Sequence, residues 1–392
     1  MVIQKLTFSV YKNFKPSTLN KNASILCLNK SYFSTSNSNQ INKEWTKTLN
    51  NAEKIVGYPT SFLNLRYLVS DEVANFANLL RKLMKTKHPL IKMARKLISY
   101  GENEPKRSLQ INGLLVLLIA KAAGIPKKNN FLEVEISDGI HQSQRCLAEI
   151  TEMIYMASLI HKGILDLSQD QSDFKDMEQG NKLAVLSGDY LLANACTNLS
   201  KLKNTQVVDL MSQVIADISQ GIFSENKNSK LTFLKLWYET VNSNSSSLLS
   251  NSAKSAMLLV KHNSYLQEIA WNFAFHLDIT YRIWSDLYNF KQDEAIVNNP
   301  DSVLNAIYKD KYELDNPKLD LDEKKSFLTS LIDFGQGQEN VLLKNLFEDC
   351  KLIFQNHHKL AMTNLEQLEN EYSQKDAIAS LKSILNVMKN TV

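Results

Sequence analysis

The stretch Ile269–Leu287, which reads IAWNFAFHLDITYRIWSDL, decides the fold class of this chain. If the stretch forms a helix, apolar side chains such as Trp271, Phe273 and Ile279 lie on nearly every side of it. A helix that is apolar all round is normally buried and surrounded by other helices. The stretch therefore predicts the central helix of a large helical bundle.

Helical patterns recur on both sides of this stretch. In the segment 141–165, Leu147, Ile150, Ile154 and Ala157 recur at three- and four-residue steps, which is one face of a helix. Glycine and proline, which favour turns and hairpins, are rare, at 11 and 7 of 392 residues. Because no stretch alternates like a strand, we predict an all-α fold. A further helix is expected to start at Ser70, and others to cover residues 90–100, 108–123, 181–199, 205–222, 245–262, 321–335, 339–370 and 374–389.

Residues 1–43 differ in composition from the rest of the chain. They contain six lysines and many serines and asparagines but no Asp or Glu, and the first acidic residue is Glu44. Such a leader is typical of a mitochondrial transit peptide, which is disordered and cleaved after import. The sequence therefore predicts a leader at 1–43, one all-helical domain at 44–392 and a location in the mitochondrial matrix. A disordered polar tail without a targeting role is the alternative.

Charge, hydropathy and cysteine spacing argue against three other classes of protein. The formal net charge is +4 and no basic stripe is concentrated, so we expect no nucleic-acid partner. The longest strongly apolar run, Gly113–Gly124, is interrupted by Lys121 and is too short to cross a bilayer, so no transmembrane segment is expected. The four cysteines lie far apart without metal-ligand spacing, which indicates buried thiols in a reducing compartment.

Three segments resemble the trans-polyprenyl diphosphate synthase family. Gly113–Gly124 resembles the helix after the family's first substrate-binding loop, Leu147–His161 the helix that leads into its first aspartate-rich motif, and Gly180–Ala193 the next helix. The resemblance implies a helical bundle of the isoprenoid synthase type. It also implies the family's reaction, in which an allylic diphosphate loses its leaving group and isopentenyl diphosphate captures the carbocation. Mg²⁺ held between two DDxxD motifs assists that reaction.

The residues that this chemistry requires are largely replaced here. The first motif reads Lys162-Gly163-Ile164-Leu165-Asp166 and the second reads Ser285-Asp286-Leu287-Tyr288-Asn289, so each keeps one aspartate. In the loop for isopentenyl diphosphate, Leu109 and Asn112 stand where the family has cations, and Tyr155 stands where it has a histidine. The resemblance therefore implies degenerate motifs, with no catalytic residue and no metal ligand in this chain.

Lys162 is the replacement with the largest electrostatic consequence. It places a positive charge where a divalent cation should bind, and at about 4 Å with an effective dielectric near 20 the repulsion is on the order of several kcal/mol. Each remaining aspartate has a cation four residues before it, Lys162 for Asp166 and Arg282 for Asp286, and Asp278 precedes Arg282 by four. Residues four apart share a helix face, so we expect ion pairs in place of metal sites, although such pairs are also common on any helix.

The resemblance also indicates a branch of the family. Gly57–Leu63, Ser70–Glu72 and Lys87–Leu90 resemble the second subunit of animal-type decaprenyl diphosphate synthases, in which a homologous subunit keeps both aspartate motifs. This implies a regulatory or structural subunit in synthesis of the ubiquinone side chain. Such a subunit binds no cofactor, and Mg²⁺ is expected in its catalytic partner. Two alternatives stay open: a non-enzymatic protein that binds an isoprenoid chain, and an independently active prenyltransferase.

Overall fold

The computed structural model describes residues 36–57, 111–126, 135–167, 174–223, 232–290, 301–313, 341–370 and 372–392, all within the compact unit Tyr32–Val392. In chain order its helices are α1 (Ser36–Val56), α2 (Ile111–Ala123), α3 (Gln142–Lys162), α4 (Phe174–Lys201), α5 (Thr205–Phe223), α6 (Phe233–Val241), α7 (Ser247–Leu259), α8 (Ser264–Phe290), α9 (Val303–Tyr308), α10 (Val341–Leu368) and α11 (Lys375–Thr391). Two short strands, β1 (Ile136–Ser137) and β2 (Ile140–His141), precede α3. The expected all-α fold is confirmed.

Helix α8 is central, as the sequence predicts. Phe273, Leu277 and Ile283 are fully buried along its length. Helices α7 and α10 pack along it, and α9 and α11 also contact it. The helix extends beyond the apolar stretch, from Ser264 to Phe290. Residues 285–289, the predicted remnant of the second motif, are thus the last part of a long packed helix.

Helix α2 is buried on every side. All of its residues are buried, including the polar Asn112 and the charged Lys121. It packs against α3, α11, α7 and α1. The segment therefore serves as a core helix of the bundle, in line with its resemblance to a family helix.

Helix α1 is anchored at its C-terminal end by two buried cations. Lys121 Nζ donates a hydrogen bond to Ile55 O at 2.6 Å, and Arg145 Nη2 donates to Val56 O at 3.0 Å. Cations there satisfy free carbonyl groups and complement the negative end of the helix dipole. The helix then ends at Gly57, whose φ of +68° favours glycine. The position of α1 is therefore set by contacts with α2 and α3.

Several helices differ from the prediction, among them α4, which begins at Phe174 and not at 181, and α9, which the sequence does not predict. α3 ends at Lys162, three residues before the predicted end at 165, because Gly163 takes the C-cap position. α1 begins at Ser36 and so crosses the expected boundary between leader and domain; that boundary stays a prediction. α6 is absent from the prediction because its nine residues are too few for a clear periodic pattern.

Smaller features also differ or lie outside the described residues. β1 and β2 pair antiparallel, with Ile136 opposite His141, and two-residue strands are too short to show alternation. Cys196 is exposed and Cys146 half-buried, so of these cysteines only Cys350 fits the prediction of buried thiols. The helices expected from residue 70 and over 90–100 and 321–335 fall on residues that the structure does not describe. In the described part of the chain, no helix is long and apolar enough to cross a membrane.

Candidate functional site

A cavity of about 200 Å³ lies beside α8, with α1, α2, α3 and α11 contributing to its lining. Its polar lining consists of Asn112, Tyr155, Ser245, Asp278, Arg282, Ser285, Asp286 and Asp301. Its apolar lining consists of Trp45, Ile111, Leu115, Trp237, Leu277, Tyr281, Ile384 and Met388. The cavity therefore brings together the predicted remnants of the isopentenyl diphosphate site and of the second aspartate motif.

Asp278 is the hydrogen-bond centre of the polar lining. Ser245 Oγ and Ser246 Oγ each donate to Asp278 Oδ2 at 2.6 Å, and Arg282 Nε lies 3.4 Å from the same oxygen. Arg282 Nε also donates to Ser245 Oγ at 2.7 Å. Both serines belong to a π-helical turn, Asn242–Ser246, between α6 and α7, a distortion that is frequent at functional sites. The predicted pair of Asp278 and Arg282 is thus present, and the two serines complete it.

Asp286, which the sequence predicts to be the remaining aspartate of the second motif, has a structural partner. Its Oδ2 accepts a hydrogen bond from the backbone N of Val303 at 2.8 Å, and its carboxylate also interacts with the side chain of Ser302. It therefore caps the first turn of α9. Burial raises the pKa of Asp286 to about 6, and the positive charge of Arg282 offsets this only in part. The positive charge of Arg282 thus acts on the Asp286 carboxylate, as predicted, but the hydrogen bonds of this carboxylate are made with the start of α9.

The predicted remnant of the first motif, residues 162–166, does not lie on one helix face. Because α3 ends at Lys162, Asp166 lies in an irregular segment beyond the helix and is exposed. The expectation that Lys162 and Asp166 lie on one helix face is therefore wrong. The segment is held instead by Asn181 of α4, whose Oδ1 accepts from Leu165 N at 2.8 Å and whose Nδ2 donates to Leu165 O at 2.7 Å.

Lys162 stands at the exposed end of α3, yet it responds to charges of the cavity. Its pKa is lowered to about 8, mainly because neighbouring residues displace water from its amino group. The positive charge of Arg282 lowers this pKa further, and the negative charge of Asp301 raises it. The charge of Arg282 also acts on Asp286. The structure therefore places Lys162 and Asp286, one residue from each predicted motif remnant, within electrostatic range of Arg282.

The side chains at this place do not fit a Mg²⁺ site. Mg²⁺ prefers carboxylate ligands together with phosphate oxygens. Across the described ranges, no three His, Cys, Asp or Glu side chains cluster so that they could hold a metal ion. Ser285 lines the cavity, and Asn289 follows one turn later on α8. A hydroxyl and an amide stand at these two positions, so neither residue supplies a carboxylate. The two aspartates of α8 that line the cavity are already engaged, Asp278 with Arg282 and Asp286 with α9.

A carboxyl group of the chain itself occupies the N-terminal end of α2. Glu152 Oε1 accepts a hydrogen bond from Gly113 N at 2.7 Å, and the backbone of Asn112 adds a second. Free N–H groups at a helix start form an anion site, and this one is filled from α3. Burial raises the pKa of Glu152 to about 8, so the group is largely protonated at neutral pH. Leu109, the other predicted remnant of the loop, lies outside the described residues.

Tyr155, the predicted replacement of the family's histidine, has a side chain that stays neutral. It lines the cavity, and burial raises its pKa above the ordinary value, an effect that the charge of Arg282 offsets only in part. A neutral phenol donates one hydrogen bond but supplies no positive charge for a diphosphate. Among the described residues that line the cavity, Arg282 is the one cation, and it is already paired with Asp278.

The site includes residues that the sequence does not single out, among them Trp45, Glu152 and Asp301. Trp45 lies in a helix that the sequence does not predict. Glu152 lies within a predicted helix but away from its apolar face, so helical periodicity assigns it to solvent. In the structure α3 packs against neighbouring helices on more than one side, so Glu152 is buried although it lies away from the apolar face. The one signal in the sequence is that Glu152 is the single carboxylate between Ile150 and Ile154.

Comparison with known sequences identifies the family. The Polyprenyl synthetase family model matches residues 103–304, and the chain belongs to this family. It is 43% identical over 261 residues to All trans-polyprenyl-diphosphate synthase PDSS2 of Homo sapiens, a match that covers 64% of each chain. Solanesyl-diphosphate synthase 1, mitochondrial, of Oryza sativa subsp. japonica is 31% identical over 241 residues, which cover 58% of this chain and 54% of that protein. The chain thus spans less than two thirds of the length of these relatives.

Comparison with solved structures supports the fold. The apo form of an Arabidopsis medium/long-chain length prenyl pyrophosphate synthase has a TM-score of 0.53 at 22% identity, covering 83% of this chain and 97% of that one. A decaprenyl diphosphate synthase from Rhodobacter capsulatus has a TM-score of 0.53 at 15% identity, covering 90% and 98%. The helical bundle is therefore that of the isoprenoid synthases.

Proposed function

We propose that this chain is a regulatory or structural subunit of a heteromeric long-chain all-trans-polyprenyl diphosphate synthase that makes the ubiquinone side chain. The observation that carries the proposal is that groups expected to meet a metal ion or a diphosphate are engaged within the chain. Asp278 pairs with Arg282, Asp286 caps α9, and Glu152 takes the N-terminal end of α2. On this proposal the chain alone has no prenyltransferase activity.

The charges of the site support the same proposal. At pH 7 Lys162, with a pKa of about 8, is mostly protonated and repels a divalent cation at this place. Arg282 adds a second positive charge within electrostatic range. The polyprenyl synthetase family generally uses Mg²⁺ in its catalytic subunits. We therefore place the Mg²⁺ and both intact aspartate motifs in a homologous partner subunit.

The names of relatives support the pathway and the compartment. A relative from Dictyostelium discoideum, 30% identical over 229 residues, is named decaprenyl-diphosphate synthase, and the Oryza relative is named mitochondrial. We propose that residues 1–43 are a mitochondrial transit peptide, that 44–392 is the mature domain, and that the complex works in the matrix. Absence of a nucleic-acid partner stays a prediction.

The test is a prenyl-elongation assay with Mg²⁺, a short allylic diphosphate and isopentenyl diphosphate. It compares this chain alone, an aspartate-rich homologue from the same source alone, and the two co-expressed. We expect no product from this chain alone and long polyprenyl diphosphate from the pair. Elongation by this chain alone would contradict the proposal, because the carboxylates for the metal would then have to come from other residues.

A matched control assigns the activity of the pair to one subunit. Replacing the first aspartate of the homologue's first motif by alanine should abolish product formation, while Asp166→Ala in this chain should leave it unchanged. Asp166 is exposed beyond the end of α3, and among the described residues it belongs to no cluster of His, Cys, Asp and Glu side chains that could hold a metal ion. Loss of product on Asp166→Ala would show that this chain contributes a metal ligand.

The apolar lining of the cavity favours a second candidate, a non-enzymatic protein that binds an isoprenoid chain. Leu115, Leu277, Ile384 and Met388 would contact such a chain in the same way whether or not a catalytic partner exists. Co-purification separates the two candidates. Stable association with the aspartate-rich homologue supports the subunit, whereas isoprenoid binding without any such association supports the second candidate.

A further inference from the structure

Helix α1 closes part of the cavity with a large aromatic side chain. Trp45 is 7% exposed and belongs to the cavity lining. Its ring centroid lies 5.0 Å from that of Trp284 and 6.0 Å from that of Tyr281, within the range of favourable aromatic pairs. The indole therefore fills space inside the aromatic lining and does not lie on the surface.

The helix that carries this indole is held firmly. Leu49 and Ala52, one and two turns after Trp45, are also buried, and α1 packs against both α2 and α11. Trp284, the ring on which Trp45 packs, is itself fixed to α11, because its Nε1 donates a hydrogen bond to Thr391 Oγ1 at 2.6 Å. Together with the two cations at its C-terminal end, these contacts keep the indole at one place.

We propose that α1 is an intramolecular plug, in which the Trp45 ring takes the space that the apolar part of an uncharged prenyl chain would fill. The cavity then admits such a ligand only when the ring is absent or α1 is displaced. The inference takes its class of ligand from the proposed function, but it rests on the geometry of α1 and not on the lost aspartates. It gives the chain a second, steric reason to hold no substrate by itself.

The plug differs from ordinary core packing in what its removal creates. Deleting a core side chain leaves a void about the size of that side chain, which binds only ligands of similar size and shape. Deleting a plug joins the vacated space to the existing cavity of about 200 Å³, and a longer apolar ligand then fits. Indole and geraniol distinguish these cases, since indole matches the deleted ring and geraniol is an extended C10 prenyl alcohol.

The experiment measures binding of geraniol and of indole to the full-length chain by isothermal titration calorimetry. It compares the wild type, Trp45→Ala and Trp271→Ala, with circular dichroism confirming that each variant is folded. Trp271 is the matched control because it is half-buried and stacks on Phe275 at a centroid distance of 5.3 Å, but it is not part of the cavity lining. Trp45→Leu serves as a milder second variant if Trp45→Ala does not fold.

We expect Trp45→Ala to bind geraniol at least tenfold more tightly than the wild type and Trp271→Ala do, and Trp45→Leu to lie between. Three results would overturn the plug: equal geraniol binding by the wild type, binding of indole but not of geraniol by the variant, or no binding of either ligand. The elongation assay is separate from this measurement. A plug can therefore be confirmed even if co-expression yields no product, and the subunit can be confirmed even if the plug fails.

Discussion

At the scale of single residues, the polar lining of the cavity depends on Asp278. Its carboxylate accepts hydrogen bonds from two serine hydroxyls and lies beside Arg282. A buried charge of this kind is tolerated because each of its partners is present, and removing one partner leaves the others unsatisfied. The pair of Asp278 and Arg282 follows from their spacing in the sequence. Ser245 and Ser246 do not, because they lie 33 and 32 residues before Asp278.

We expect Asp278→Ala to lower the free energy of unfolding by about 3 kcal/mol, since Arg282 and both hydroxyls then lose their shared acceptor. Asp278→Asn keeps an oxygen acceptor and should cost roughly a third as much. Urea denaturation followed by circular dichroism measures both. The exposed Asp209→Ala is the control, with an expected change within about 0.5 kcal/mol. A cost for Asp278→Ala no larger than that of Asp209→Ala would contradict the central role of this carboxylate.

At the scale of elements, the contact between α3 and α4 depends on a glycine. His161 of α3 packs against α4, and its Nε2 lies 3.4 Å from both Val185 O and Asp189 Oδ1. A Cβ on Gly188 would lie 2.1 Å from that nitrogen. The two helices therefore approach closely because residue 188 has no side chain.

Gly188→Ala should destabilise the protein by about 1–2 kcal/mol, because the clash with His161 outweighs the gain in helix propensity of roughly 1 kcal/mol. Thermal or urea unfolding of Gly188→Ala, His161→Ala and the double variant forms a double-mutant cycle. The double variant should be more stable than the sum of the two single changes predicts, since His161→Ala removes the clashing ring. Additive effects would mean that the ring moves aside at no cost.

At the scale of the whole molecule, stability should depend on pH through buried groups with shifted pKa values. Burial lowers the pKa of His357 to about 4; its Nδ1 lies 3.0 Å from His276 Nδ1. That depressed pKa makes the fold lose stability as pH falls from about 6.5 toward 4. Glu152 has the opposite sign: its pKa, raised from 4.5 to about 8, makes the fold lose stability as pH rises through that interval.

Between pH 6.5 and 8, Glu152 should therefore dominate the pH dependence. Asp286, with a pKa raised from 3.8 to about 6, acts at lower pH, as does His357. Lys162, with a pKa lowered from 10.5 to about 8, has the opposite sign to Glu152, but below pH 8 it is still mostly protonated in the folded state and offsets only a small part of the decline. We expect the free energy of unfolding of the wild type to fall by on the order of 1 kcal/mol across this window. Glu152→Gln, which cannot ionise, should flatten the decline, and the exposed Glu239→Gln should not. An unchanged slope in Glu152→Gln would show that another group titrates there.

The sequence by itself determined the all-α fold and the central position of α8, and it predicts the loss of both aspartate motifs. These follow from helical periodicity and from the residue types at a few positions, which are local properties. Only the tertiary structure decided that Glu152 fills the end of α2 from 39 residues away, that Asp286 caps α9, and that Trp45 of α1 enters the cavity. Each of these contacts joins helices whose separation and rotation depend on how their side chains pack together. Periodicity along one helix does not specify which face meets which neighbour.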